Sequence, residues 1–270
     1  MEFNVEKVTN EIIEFIRDYY KKHHLRGAVI GISGGKDSAV VAGLFSKALG
    51  SENVLGMWLP CNSNEKDKKD ALEIANHFGF KLLEYDLTNH YNNYVKNVYE
   101  ALYLKENKKM KDVYKITEED LIDSCINIKP RMRIQTLYFF AALFSKLKKG
   151  VCIVPGTSNK SELYVGYFTK GGDNVSDIQV LADLSVDEVK KVGDYIGVPY
   201  HICHKTPDDG LSGKSDEEKL GVKYSDIDIV MKEEETGMQS FLISNEVREK
   251  VLKLHRNNLH KFNIPTYRKK

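Results

Sequence analysis

Only four cysteines occur in 270 residues, Cys61, Cys125, Cys152 and Cys203, and no two form a CxxC pair. That sparsity excludes a disulfide framework and fits free thiols in a reducing compartment. An excess of one charge is also lacking, since 40 Lys and Arg stand against 39 Asp and Glu. No surplus positive charge therefore draws the chain to nucleic acid or to an anionic membrane surface. Long apolar runs are missing too. The longest, residues 138–144, is far too short to span a bilayer, and Glu2, Glu6 and Lys7 break up the start where a signal peptide would be apolar. These absences lead to the expectation of a cytoplasmic protein with no nucleic-acid and no membrane partner. What is present is apolar content sufficient for a full core, at a length that suits one α/β domain over residues 1–270.

Val5, Val8, Ile12, Ile13 and Ile16 recur at helical spacing, which predicts an amphipathic packing helix over residues 4–23. Residues 28–32 are apolar and partly β-branched, then Ser-Gly-Gly follows, then residues 38–49 read as a helix closed by Gly50. A strand at 53–59, a helix at 66–78 ending at Gly79 and a strand at 80–86 continue the alternation. Residues 88–117 read as a helix and an exposed connection, 131–148 as a long helix, and 151–154 as a buried strand ending at Pro155 and Gly156. Ser185 and Glu188 make a capping-box pattern that opens a helix running to Gly197. Residues 206–219, rich in Gly, Ser and Asp, read as a loop or lid, and a last helix covers 244–262 before Pro265. Strands alternating with helices imply an α/β fold with a doubly wound, mostly parallel sheet flanked by helices.

The strongest local signal is Gly31-Ile32-Ser33-Gly34-Gly35-Lys36-Asp37-Ser38, between an apolar strand and a helix. Paired glycines let backbone N–H groups approach an anion with no Cβ in the way. The serines add hydroxyls and the helix adds its positive end, so a pyrophosphate suits the amides of Gly34, Gly35 and Ser38. A carboxylate at Asp37 would repel those phosphates unless a divalent cation lies between, so Asp37 reads as a magnesium ligand or, alternatively, as a helix cap. The segment is not a Walker loop. That pattern needs glycine where Ile30 stands and Ser or Thr where Asp37 stands.

Four further segments accompany the loop: Asn127-Ile128-Lys129-Pro130-Arg131-Met132-Arg133, Gly156-Thr157-Ser158-Asn159-Lys160-Ser161-Glu162, residues 166–177 from Gly166 to Asp177, and Leu220-Gly221-Val222-Lys223-Tyr224. A fifth is His260-Lys261. In this order they resemble ammonia-dependent NAD synthetase, a member of the N-type ATP pyrophosphatase group, over nearly the whole chain. The resemblance implies an adenine nucleotide alpha hydrolase-like fold and the amidation of deamido-NAD by free ammonia, with ATP as co-substrate, Mg2+ as cofactor and a homodimer as the assembly. It implies ATP contacts along residues 31–38 and at Thr157, Val186 and Asp208, and a dinucleotide site of Arg131, Lys170, Asp177, His260 and Lys261. It also implies Asp37 and Glu162 as the metal pair, and Asp37, Glu162 and Asp173 as catalytic residues. Asp37 and Glu162 follow different strands, so a parallel sheet can bring both to one carboxyl edge.

At two positions the chain departs from the family's pattern. Val186 replaces a usual lysine, and Asp208 a usual Ser or Thr, at positions that serve ATP. Lys190 or Lys191, about one turn further along that helix, could restore the charge. His260 reads alternatively as an end-of-helix histidine facing terminal carbonyls. His201, Cys203 and His204 offer three possible metal ligands without a fourth, which favours a packing role, as does the spacing of Tyr91, Tyr94 and Tyr99. The competing functions are another N-type ATP pyrophosphatase and a non-catalytic nucleotide sensor.

Overall fold

In the computed structural model, residues 3–103, 116–205, 215–262 and 265–268 are described. Helix α1 (Val5–Lys22) is capped by Asn4, whose side chain accepts the Lys7 N–H at 2.9 Å, and it buries Ile13, Ile16 and Tyr20. Two strand–helix units and a third strand follow: β1 (Gly27–Gly31), α2 (Lys36–Leu49), β2 (Val54–Trp58), α3 (Glu65–Phe78) and β3 (Lys81–Glu84). Helices α4 (Thr88–Tyr103), α5 (Glu118–Ile126) and α6 (Ile128–Lys148) then lead to β4 (Cys152–Ile153).

The four strands are parallel in the order β3-β2-β1-β4. Side chains of β1 alternate between two cores, as a strand buried on both faces requires. Ala28, Ile30 and Ile32 join α1, α2 and α3 on one face, whereas Val29 joins Met57 and the α6 residues Leu137 and Ala141 on the other. Because β2 and β3 extend from one edge of β1 while β4 lies at the other, the winding direction reverses between β1 and β4. In a doubly wound sheet the crevice at the carboxyl ends of such a pair is the natural ligand site.

The strand expected over 151–154 proves shorter, and the chain leaves the main sheet at Pro155, which has no N–H to continue the ladder. Pro155 and Gly156 form β5 (Pro155–Gly156), which after α7 (Lys160–Val165) pairs in parallel with β6 (Ile178–Gln179). Beyond these come α8 (Val186–Ile196), α9 (Tyr200–Cys203), α10 (Asp216–Leu220), α11 (Tyr224–Thr236) and α12 (Asn245–Asn258), and a 3-10 turn at Leu259–Lys261. Residues 206–214 of the expected lid, Asp208 among them, lie outside the described residues. The rest of that stretch is not loop. Ser215 and Glu218 form a capping box that starts α10, by the same signal as Ser185 and Glu188 in α8.

A third apolar cluster, with Val165, Val186, Leu220, Ile227 and Val251, unites α7, α8, α10, α11 and α12. At its margin the Ser161 hydroxyl donates to Asp228 and accepts the Val186 N–H. Burial, aided by the charges of Glu188 and Asp187 and opposed by the Ser161 hydroxyl, pushes the Asp228 carboxyl up to about 6. A folded-state pKa above the unfolded value of about 3.8 means that this group favours folding at low pH, and the benefit is lost as pH rises through about 6. Asp228→Asn, which keeps an acceptor for Ser161, is therefore expected to stabilise the fold by about 1–2 kcal/mol at pH 7.5 and hardly at all at pH 4. Urea unfolding at the two pH values measures this.

Candidate active site

The turn between β1 and α2 is built by its serines. Ser33 Oγ accepts the Gly35 N–H at 3.2 Å, Ser38 Oγ accepts the Ser33 N–H at 3.2 Å, and Ser38 Oγ donates to the Gly35 carbonyl at 3.0 Å. The two hydroxyl oxygens lie 3.1 Å apart. Gly34 has φ +79°, where only glycine is unstrained, and a Cβ there would sit 2.6 Å from the Asp67 carbonyl oxygen of α3. The turn is thus held in a left-handed bend at the N-terminal end of a 14-residue helix, the arrangement that suits an anion.

Asp37, on the first turn of α2, meets residues that follow β5. Its Oδ1 accepts the Asn159 side-chain amide at 3.2 Å. Asn159 also caps α7: its Oδ1 accepts the Glu162 N–H at 3.0 Å, and its own N–H donates to Glu162 Oε2 at 3.2 Å. One asparagine therefore ties together the two carboxylates expected to share a cation. Burial and the charge of Asp37 push the Glu162 carboxyl well up, with Lys36 pulling the other way. Lys36 is itself only 4% exposed, and its ammonium lies 2.8 Å from Asp37 Oδ2. Burial pushes the Lys36 pKa down, but Asp37 and Glu162 more than reverse that, so the net shift is upward and the ammonium stays charged. Asp216 adds a third, more distant negative charge, its oxygens held by the hydroxyls of Tyr167 at 3.1 Å and Tyr224 at 3.3 Å. Thr157 is half-buried just after β5.

A second cluster forms where the start of α6, the segment after α7 and the final turn converge. Arg131 donates to the Lys170 carbonyl at 3.2 Å, and Lys170 donates to the His260 carbonyl at 3.1 Å. Lys261 donates to the carbonyls of Gly166, at 2.7 Å, and Phe168, at 3.2 Å. Burial lowers its pKa, and Asp173 partly offsets this. Asp173 is exposed and accepts the Thr169 N–H at 2.9 Å. His260 Nδ1 lies 2.9 Å from the Asn257 carbonyl, the helix-end contact foreseen as its alternative. Asp177 stands apart, accepting the Tyr138 hydroxyl at 3.1 Å and the Val154 N–H at 2.8 Å, and so joins α6 to the chain after β4.

Of the two lysines considered on α8, Lys191 pairs with Asp187 at 2.7 Å and lies over the Phe3 ring. The ammonium that reaches the turn belongs instead to Lys205, 3.5 Å from the Gly34 carbonyl, 2.6 Å from Asp67 and 2.8 Å from Asp70. It clamps the first turns of α3 against the Gly34 bend. Lys205→Met is expected to raise the KM for ATP about tenfold with a smaller change in kcat, and Lys205→Arg to recover part of the loss. Steady-state kinetics separates the two. Of His201, Cys203 and His204, only the last two come together, joined by Asp194 with their ligand atoms all within 4.8 Å of one another, whereas His201 faces Glu73 at 3.2 Å. No fourth ligand completes that group among the described residues: His204 pairs with Asp194 at 3.0 Å, and the buried Cys203 thiol meets the Lys190 carbonyl. Tyr91 packs beside Lys129, while Tyr94 is exposed.

A parallel sheet that reverses its winding beside a glycine-rich turn defines the class as an adenine nucleotide α-hydrolase-like protein. A family model described as NAD synthase matches residues 8–265. The chain belongs to the NAD synthase family. It is similar to the NH(3)-dependent NAD(+) synthetase of Methanocaldococcus jannaschii, 37% identical in an alignment 270 positions long that covers 97% of this chain and 96% of that protein. The Pyrococcus furiosus enzyme of the same name is 36% identical in an alignment 273 positions long that covers 97% of this chain and 94% of that protein. Among solved structures, the NMN synthetase of Francisella tularensis has a TM-score of 0.79 at 28% identity and covers 99% of each chain. The NH3-dependent NAD synthetase of Campylobacter jejuni has a TM-score of 0.76 at 25% identity, over 99% of this chain and 100% of that one.

Asn159, Lys205 and Asp216 are site residues that the sequence expectations omit. Asn159 could have been found, because Asn-x-x-Glu is a capping pattern. Lys205 and Asp216 give no local signal.

Proposed function

We propose that this protein is a ligase that joins ammonia to the nicotinate carboxylate of deamido-NAD, giving NAD, with ATP cleaved to AMP and pyrophosphate. Family membership supplies the reaction. The observation that carries it onto this chain is the meeting of Asp37 and Glu162 through Asn159 beside the phosphate turn. A free carboxylate resists ammonia because oxide is its leaving group, and transfer of AMP to it supplies a stabilised phosphate leaving group. Its oxygen attacks the α-phosphorus of ATP, pyrophosphate departs, ammonia then attacks the acyl carbon and AMP leaves.

The amides of Gly34, Gly35 and Ser38 hold the departing pyrophosphate, with Ile32, Ser33 and Thr157 lining the nucleotide site. Asp37 and Glu162 suit Mg2+. They form an all-oxygen donor set at the ends of two segments, tied together by Asn159, and burial and then the charge of Asp37 push the Glu162 carboxyl up. Held by Asp37 and Glu162, Mg2+ would supply the positive charge that a departing pyrophosphate needs. Arg131, Lys170, His260 and Lys261 give donors for the dinucleotide's phosphates and carboxylate. Asp177 keeps one edge of that site in register through Tyr138. Asp173, exposed as a residue but with a carboxyl whose pKa burial raises against the hydrogen bond from Thr169, orients ammonia and takes its proton.

The assembly is a homodimer. On α6, Phe139, Leu143 and Leu147 repeat every four residues and are all exposed, an apolar stripe that a second copy would cover. Leu143→Glu is expected to halve the mass seen by light scattering.

The decisive experiment incubates the protein with ATP, Mg2+, ammonium and either deamido-NAD or nicotinate mononucleotide, and measures amide, AMP and pyrophosphate. Equal yields of all three from deamido-NAD support the proposal. Preference for the mononucleotide would move the product toward NMN, which the Francisella tularensis neighbour's name gives, and no ATP cleavage would leave a nucleotide sensor.

A further inference from the structure

A lysine buried beside two carboxylates that are to hold a divalent cation needs a reason. Lys36 is only 4% exposed, its ammonium is 2.8 Å from Asp37 Oδ2, and Glu162 and Asp216 contribute to the negative field around it. An ammonium and a divalent cation cannot share those oxygens closely, since like charges in a poorly solvated site repel strongly. A flexible four-carbon stem, unlike a guanidinium fork, can swing such a charge aside.

We propose that Lys36 is a built-in counter-ion for Asp37 and Glu162 and competes with the divalent cation for the same oxygens. This deepens the proposed function and rests on its assignment of Asp37 and Glu162 as the cation's ligands. Lys36 neutralises the carboxylates while the metal is away, so the site keeps its shape between turnovers. Metal entry displaces the ammonium toward the phosphate turn, where it meets the incoming nucleotide. The metal therefore enters as the nucleotide supplies a new partner for Lys36, and the cation binds poorly alone. The competing role, a lysine that serves only as a phosphate ligand, predicts no effect on metal binding in the absence of nucleotide.

The test uses Mn2+ as probe, followed through its free-ion electron paramagnetic resonance signal, without nucleotide, in the wild type, Lys36→Gln, Asp37→Asn and the double variant. The expected result is about tenfold tighter Mn2+ binding in Lys36→Gln, lost again in the double variant. Lys36→Gln should also melt at a lower temperature than the wild type without metal and gain more from added Mn2+. Unchanged or weaker Mn2+ binding in Lys36→Gln, with Asp37-dependent binding in the wild type, overturns the counter-ion and leaves the metal pair standing. No Asp37-dependent binding in any protein overturns both. Should Lys36→Gln not fold, lysine acetylation of the wild type, read by mass spectrometry, serves instead. Mn2+ should increase labelling at Lys36, and equal labelling with and without metal overturns the proposal.

Discussion

Asp37→Asn is expected to lower kcat for pyrophosphate release by at least about 10^3-fold at saturating Mg2+ while the protein stays folded. Its two oxygens have different partners, the Asn159 amide on Oδ1 and the Lys36 ammonium on Oδ2. An asparagine can satisfy one of these but must turn its NH2 toward another donor, and it removes one of the two charges that would hold the cation. Complete collapse is not expected. With the charge of Asp37 gone, the Glu162 carboxyl loses a cause of its raised pKa and ionises more readily, so it can take over Lys36. Pyrophosphate release and thermal melting, measured together, separate lost chemistry from lost folding. A fall in kcat of less than about tenfold would sink the assignment of Asp37 as a metal ligand.

Gly34→Ala is the second substitution with a large expected effect. It puts a side chain at φ +79° and sets a Cβ 2.6 Å from the Asp67 carbonyl oxygen and 3.1 Å from the Asp67 Cα. The left-handed conformation alone costs about 1–2 kcal/mol. The contact adds to this, because backbone at the start of α3 cannot rotate out of the way as a side-chain tip can. Stability should fall by about 2–4 kcal/mol, and ATP binding by at least about 100-fold as the Gly34 and Gly35 amides are tilted off their target. Gly35→Ala is the control. Gly35 has φ −101°, and a Cβ there meets only Ser33 Oγ at 3.3 Å, so its loss should be several-fold smaller. Calorimetric titration with ATP and denaturant unfolding give both quantities. Equal effects of the two substitutions would refute the claim that the bend at Gly34 is what orients the turn.

The parts of this fold that could be read from sequence are those whose cause is local. The alternation from β1 to β3 shows in apolar runs of about five residues punctuated by Gly50 and Gly79, and the serine-glycine turn announces itself by falling between a strand and a helix. Two-residue strands such as β4, β5 and β6 have no periodicity to detect. Helices of four to six residues, α7, α9 and α10, are equally silent apart from their caps. At the site, Asp37 and Glu162 could be paired in advance because the sheet's winding rule brings strand ends together. The clamp of Lys205 on Asp67 could not, since the partners are 138 residues apart and each looks like a surface charge. For Lys36 the sequence supplied membership of the turn but not its direction. Which way a lysine points is decided by the nearest unpaired carboxylate, and that is a property of the assembled fold.

The short helix α7 is gripped at both ends, Asn159 and Glu162 at its start and, just beyond its close, the Gly166 carbonyl held by Lys261, with Asn258 holding the Val165 carbonyl at 3.0 Å. Contacts made across 93 and 95 residues of sequence thus steady the helix that carries Glu162. A chain cut short before residue 258 would lack both, and Glu162 would keep only the Asn159 cap to hold it against Asp37.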